Sequence, residues 1–210
     1  MSSTPTMLSA SFPTELLLLR HAEVHNPRNI LYGRLPRFGL SERGREQAQQ
    51  AARFLSTRPV VAIYSSPLLR ARQTAMSVSG YHPHLKIRFS RELLEVRTGY
   101  QGSSNDILKS GFSFYEPLMT PGDESMEDVL HRMVAFLQRL IRRHAGETVV
   151  VVSHADPIAI TRLGLESKPL TVSNLHSVVY PSRASVNQVR IIPKKQPELT
   201  YFDVVGDGPT

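Results

Sequence analysis

Two histidines stand at equivalent places along the chain. His21 follows the aliphatic run 15–20, within Arg20-His21-Ala22-Glu23. His154 follows the valine-rich run 148–152, within Ser153-His154-Ala155-Asp156. A third apolar run, 60–64, leads into Ser65-Ser66-Pro67-Leu68-Leu69-Arg70. A neutral imidazole is a nucleophile and guanidinium groups neutralise a phosphoryl group, so these side chains gathered on one rim suit phosphoryl chemistry. The arginines are also concentrated. From Arg20 to Arg72 there are ten arginines and no lysine, against Glu23, Glu42 and Glu46, and the rest of the chain nearly cancels. Guanidinium forks pair bidentately with phosphate or carboxylate, which points to a small anionic substrate. A nucleic-acid face is the rival reading, but no dense Lys/Arg run with interleaved aromatics supports it. The plain alternative for many of these arginines is a solvated surface.

The elements that must carry these groups alternate. The run 15–20 reads as a buried strand, 26–39 with its prolines and glycines as a loop, and Ser41 as the N-cap of a helix to about Leu55. A strand follows at 60–64, then a helix from Pro67 to about Val78, then a short strand at 87–89. Ser125 with Glu127 and Asp128 predicts another N-cap, and Val129, Met133, Phe136, Leu137, Leu140 and Ile141 form its helical stripe, ending near His144. The strand at 148–152 precedes a helix opened by Asp156-Pro157 and stopped by Gly164. Further strands are expected at 178–180, 186–192 and 199–203. This order predicts an α/β fold: a mostly parallel central sheet with helices on both faces. In such sheets ligands bind beyond the carboxyl ends of strands, where both histidines fall. Residues 1–14 are expected to be a flexible terminus, 15–205 a single domain, and 98–122 a small cap or lid.

Composition narrows the class further. Zero cysteines exclude a disulfide scaffold, thiolate catalysis and Cys-ligated zinc. No aliphatic run is longer than the four residues of Leu16 to Leu19, far short of the about 20 residues that a membrane span needs. No basic n-region precedes it, so it makes a poor signal peptide. A soluble, cytoplasmic protein is expected, with no membrane partner. His82 and His84 flank Pro83 at a metal-like spacing, but no third ligand accompanies them.

Several segments together resemble the histidine phosphatase superfamily, in the branch that contains the cofactor-dependent phosphoglycerate mutases. They are Leu19-Arg20-His21-Ala22-Glu23, Gly33-Arg34, Leu40-Ser41-Glu42-Arg43-Gly44, Ser65-Ser66-Pro67-Leu68-Leu69-Arg70-Ala71 with Gln73-Thr74-Ala75, Leu94-Glu95, Pro121-Gly122-Asp123-Glu124-Ser125 and Val151-Val152-Ser153-His154. They run in the family's order from about residue 15 to 190. The resemblance implies a phosphoglycerate mutase-like fold and a metal-independent, cofactor-free phosphatase acting through a phosphohistidine. It makes His21 the nucleophile, Arg20, Arg70 and His154 the clamp on the phosphoryl oxygens, and Glu95 the acid and base. Asn26, Gly33 and Ala155 are added as phosphate-binding positions. Glu92 competes with Glu95 within Arg91-Glu92-Leu93-Leu94-Glu95, and Arg72 with Arg70.

The chain departs from the family at Ala22 and Ala155, where glycine is usual, and at Gln101-Gly102, where Glu-Gly is common. Glu95 and His154 are only 59 positions apart, without the long insertion that encloses a bisphosphate in the mutases. Hydrolysis is therefore favoured over mutase-type transfer. A non-catalytic phospho-ligand or nucleic-acid binder is the other alternative. Specificity is assigned to Arg28, Tyr32, Arg34 and Arg37 in the 24–39 loop and to Tyr100, Phe112, Phe114 and Tyr115. Those aromatics either stack on a leaving group or pack the cap.

Overall fold

The structure is a computed structural model that describes residues 8, 10–110, 112–116 and 118–206. Most of the expected flexible segment lies outside the described residues, as do Gly111 and Pro117 of the expected cap. Within the first segment, Leu8 is buried and Thr14 opens the first strand.

Six strands form one sheet in the order β3-β2-β4-β1-β5-β6. They are β1 (Thr14–Arg20), β2 (Val60–Ser65), β3 (Ile87–Phe89), β4 (Thr148–Ser153), β5 (Val186–Ile191) and β6 (Glu198–Phe202). The first four are mutually parallel, and β5 and β6 add an antiparallel edge. The central strands are apolar throughout because both faces are covered. Side chains alternate between the faces. Leu16, Leu18, Val149 and Val151 join the core under α3 (Met126–Arg143) and α4 (Ala155–Leu165). Leu17, Leu19, Val150 and Val152 join the core under α1 (Glu42–Ser56) and α2 (Leu69–Tyr81).

Helix starts follow the local chemistry in part. Ser41 caps α1 by accepting from the Gly44 amide, and Ser125 with Asp128 forms a reciprocal capping box on α3. Pro67 does not open α2: the helix begins at Leu69, and the proline sits in the bend after β2. The expected strand at 178–180 is also corrected. A short helix, α5 (Val172–Ser177), capped by Thr171, precedes it, and Val178 then anchors in the core without pairing. The remaining segment carries Tyr180 to the cavity described below.

The 98–122 stretch is largely irregular, with a 3-10 turn at Asn105–Ser110. Backbone bonds from Leu31 to Ser103, from Gly102 to Leu31 and from Asn105 to Asn29 fasten it to the 26–39 loop. Among the described residues, no helix is long and apolar enough to cross a membrane.

Candidate active site

Parallel pairing of β1 with β4 sets Arg20 opposite Ser153, so both chains leave the sheet side by side. His21 and His154 are the next residues, and their rings lie 5.0 Å apart at 64°. Both side chains are buried. The Nδ1 of His21 is 2.8 Å from the Ala22 carbonyl, an acceptor only, so Nδ1 carries the proton. Nε2 is left with its lone pair outward, where Arg70 Nε donates to it at 3.2 Å. Burial first, then Arg70 and Arg20, pull the imidazole well below its ordinary pKa, so it stays neutral.

Arg70 is fully buried on the first turn of α2. Its Nη2 donates to the Gly33 carbonyl at 2.7 Å, and Tyr32 lies 4.7 Å from the guanidinium. Its Nη1 has no hydrogen-bond partner among the described residues. The same holds for Nδ1 of His154, whose Nε2 is 2.8 Å from Ser66 Oγ. With Ser66 donating its hydroxyl to Nε2, His154 Nδ1 is assigned as a proton donor, on the side of Glu95. Two buried donors without acceptors, beside a neutral imidazole, describe a site prepared for an anion. Arg20 donates to the Pro181 carbonyl at 2.6 Å and lies over Tyr180.

Glu95 completes the group. One carboxylate oxygen lies 3.9 Å from His154 Nδ1, and the other accepts the Val96 amide at 3.0 Å. Burial, and next the charge of Asp156, push its carboxyl up to about 7. Its backbone is held by two arginines: Arg34 Nε donates to the Glu95 carbonyl at 2.6 Å, and Arg132 reaches the same oxygen. Both arginines share Glu124. Glu92, by contrast, pairs with Arg139 on α3 and does not line the cavity. Arg72 packs over Phe89, away from the site.

Ligand atoms of His21, Glu95 and His154 lie within 4.8 Å of one another, a spacing that a metal could use. The donor set argues against one. Both ring nitrogens of His21 are engaged, Nε2 by a guanidinium, and two arginines already supply the positive charge.

The cavity over these groups has a volume of about 490 Å³. Arg20, His21, Glu95, Asn26, Gly33 and Ala155 all line it. Asn26 spends its amide on Ile30, accepting from its backbone N–H and donating to its carbonyl, which closes the loop. Gly33 has φ +36°, and a Cβ there would meet Gln101 at 2.6 Å. Gln101 thus packs against the turn that holds Arg70. Ala155 is the first residue of α4, where helix amides lack intrahelical partners. Neither Ala22 nor Ala155 takes a positive φ, so alanine fits where the family usually has glycine.

The sequence reading missed Asp156, Tyr115 and Tyr180 as one unit. The Tyr115 hydroxyl donates to Asp156 Oδ2 at 2.6 Å, and that of Tyr180 donates to Oδ1. Burial and the carboxylate push both phenols up, so both remain donors. The available signal was an aspartate two places past a strand-ending histidine.

Comparison with known proteins agrees with this geometry. A family model described as histidine phosphatase superfamily (branch 1) matches residues 16–203. The chain belongs to that superfamily. It is 35% identical over 164 residues to an uncharacterised protein of Mycobacterium tuberculosis, covering 75% of this chain and 81% of that one. It is 30% identical over 210 residues to the metal-independent phosphoserine phosphatase of Arabidopsis thaliana, covering 91% and 82%. The solved structure of a mycobacterial glucosyl-3-phosphoglycerate phosphatase superposes with a TM-score of 0.75 at 24% identity, over 91% of this chain and 99% of that one. The phosphoglycerate mutase-like fold expected from sequence is the fold observed.

Proposed function

We propose that this histidine phosphatase hydrolyses small phosphomonoesters without a metal, through a phosphohistidine on His21. In this reading His21 Nε2 attacks phosphorus in line, and the bond from phosphorus to the ester oxygen breaks. Arg70 turns its guanidinium from Nε2 to the phosphoryl oxygens, joined by Arg20, His154 Nδ1 and the Ala155 amide. Glu95, protonated near neutral pH, gives its proton to the departing alkoxide. The resulting carboxylate takes a proton from water, which attacks the phosphohistidine. Inorganic phosphate leaves, and the imidazole and Glu95 return to their starting states.

One observation carries the reading: a buried imidazole with Nδ1 fixed on a carbonyl and Nε2 bonded by Arg70, whose Nη1, like Nδ1 of the adjoining His154, has no partner among the described residues. Positive charge fixed before the reaction stabilises the spreading negative charge of the transition state without reorganising. The Arabidopsis relative bears a phosphoserine phosphatase name, which supports a substrate of that size. A cytoplasmic enzyme acting on a small phosphorylated anion, with no nucleic-acid or membrane partner, fits the same account.

The test is a panel of phosphomonoesters assayed with excess EDTA. Phosphate release that survives EDTA and disappears in His21→Ala is the expected result. Isomerisation of 3-phosphoglycerate outrunning phosphate release, with 2,3-bisphosphoglycerate added, would overturn hydrolysis as the main reaction.

A further inference from the structure

A second chamber of about 320 Å³ opens off the catalytic cavity. Its walls are chiefly Leu108, Phe112, Phe114, Val172 and Leu175, from the 105–116 segment and α5. Leu108, Phe114, Asp156 and Tyr180 line both spaces, so the two are continuous there. Among the described residues, no lysine or arginine lines the chamber, and its titratable groups are Asp156, His176 and the phenols of Tyr115 and Tyr180. Asp156 stands at the junction, and among the described residues its hydrogen-bond partners are the two tyrosines.

We infer that this chamber receives the leaving group, and that the preferred substrates are phosphomonoesters carrying an uncharged apolar arm of about ring size. The inference deepens the phosphomonoesterase reading and rests on it. With phosphorus at His21 and the ester oxygen toward Glu95, an alkyl chain of a few carbons runs past Asp156 and reaches the apolar walls. Covering those walls removes apolar surface from water. An anionic arm must pass the Asp156 carboxylate, and among the described residues no lysine or arginine lies beyond it to offset that charge. Of the arginines that line the catalytic cavity, Arg183 pairs with Glu23, and Arg20 is given to the phosphoryl group in the proposed mechanism. A carboxylate-bearing ester such as phosphoserine is therefore disfavoured, in contrast with the substrate named for the Arabidopsis relative.

The experiment compares kcat/KM for propyl phosphate, 3-phenylpropyl phosphate, 3-aminopropyl phosphate and O-phosphoserine. All four release a primary alkoxide, so differences report chiefly on the arm. The phenyl ester is expected to exceed propyl phosphate by about tenfold to a hundredfold, the value of burying one ring. O-phosphoserine is expected to fall below propyl phosphate. Val172→Trp, which fills the chamber from a half-buried position, should bring the phenyl-to-propyl ratio toward one. Phe112→Ser, which removes one wall, should lower the same ratio should the first variant fold poorly. Equal rates for the phenyl and propyl esters, or a best rate with the amino or carboxylate ester, would overturn the inference while leaving the phosphatase reading intact. Hydrolysis of none of the four would overturn both.

Discussion

The two walls of the cavity are built by opposite means. The phosphate side is made of strand ends and first helical turns: His21, Arg70 and His154 are each buried and placed by a sheet register or a helix start. The leaving-group side is made of irregular chain, a 3-10 turn, a six-residue helix and the approach to β5. A sheet holds its groups because moving one strand means breaking a ladder. Irregular segments are held by side-chain bonds, such as Tyr115 and Tyr180 on Asp156, and tolerate change. Under the proposed mechanism, chemistry falls to the rigid wall and selectivity to the variable one.

The largest effect should fall on the rigid wall. His21→Ala is expected to lower kcat by about 10⁴-fold or more in a phosphate-release assay, since it removes the proposed phosphoryl acceptor. A smaller loss would move the nucleophile elsewhere. Glu95→Gln separates the two roles at the boundary between the walls. In kcat/KM, which ends at phosphoryl transfer to His21, the loss on propyl phosphate should be about 10²–10⁴-fold and only a few-fold on 4-nitrophenyl phosphate, whose leaving group needs no proton, whereas kcat should fall for both because water activation also uses Glu95. Equal losses in kcat/KM would remove Glu95 as the acid.

Asp156→Asn probes how the variable wall tunes the rigid one. Glu95 must be protonated to act, so kcat/KM for alkyl esters should decline as pH rises through about 7. Asp156 is the second cause of that raised value, after burial. Arg70 and Arg20 face the same carboxyl and oppose it. Removing the Asp156 charge lowers the Glu95 pKa, so the alkaline limb should shift to lower pH. An unmoved limb with an overall rate loss would make Asp156 merely structural. The smallest effect is expected from Gly33→Ala, where a Cβ meets Gln101 at 2.6 Å and φ is +36°. A loss of about 1–2 kcal/mol in denaturant unfolding would report this strain. A partial fall in kcat should accompany it, because the Gly33 carbonyl holds Arg70.

The same contrast explains which parts of the fold and the site are legible in the amino-acid sequence. The valine run 148–152 announces β4 because a strand covered on both faces must be apolar, and the residues just beyond such a strand are fixed in space. Ser41 and Ser125 announce their helices by capping chemistry that acts over three residues. Choosing Glu95 over Glu92 on physical grounds needs the packing of Arg139 and Arg34, which are remote in sequence. The 178–180 segment misleads because three apolar residues suit a strand equally well as an anchor for Val178. Tyr115, Asp156 and Tyr180 meet only through tertiary folding, so composition could not pair them.

The central claim is covalent and can be observed. Wild type and Glu95→Gln, mixed with a ³²P-labelled phosphomonoester and quenched within milliseconds into alkali, should both carry label that survives base, is released by acid and maps to the peptide containing His21. His21→Ala should carry none. Label on another residue, or turnover with no labelled protein at any quench time, would contradict the account.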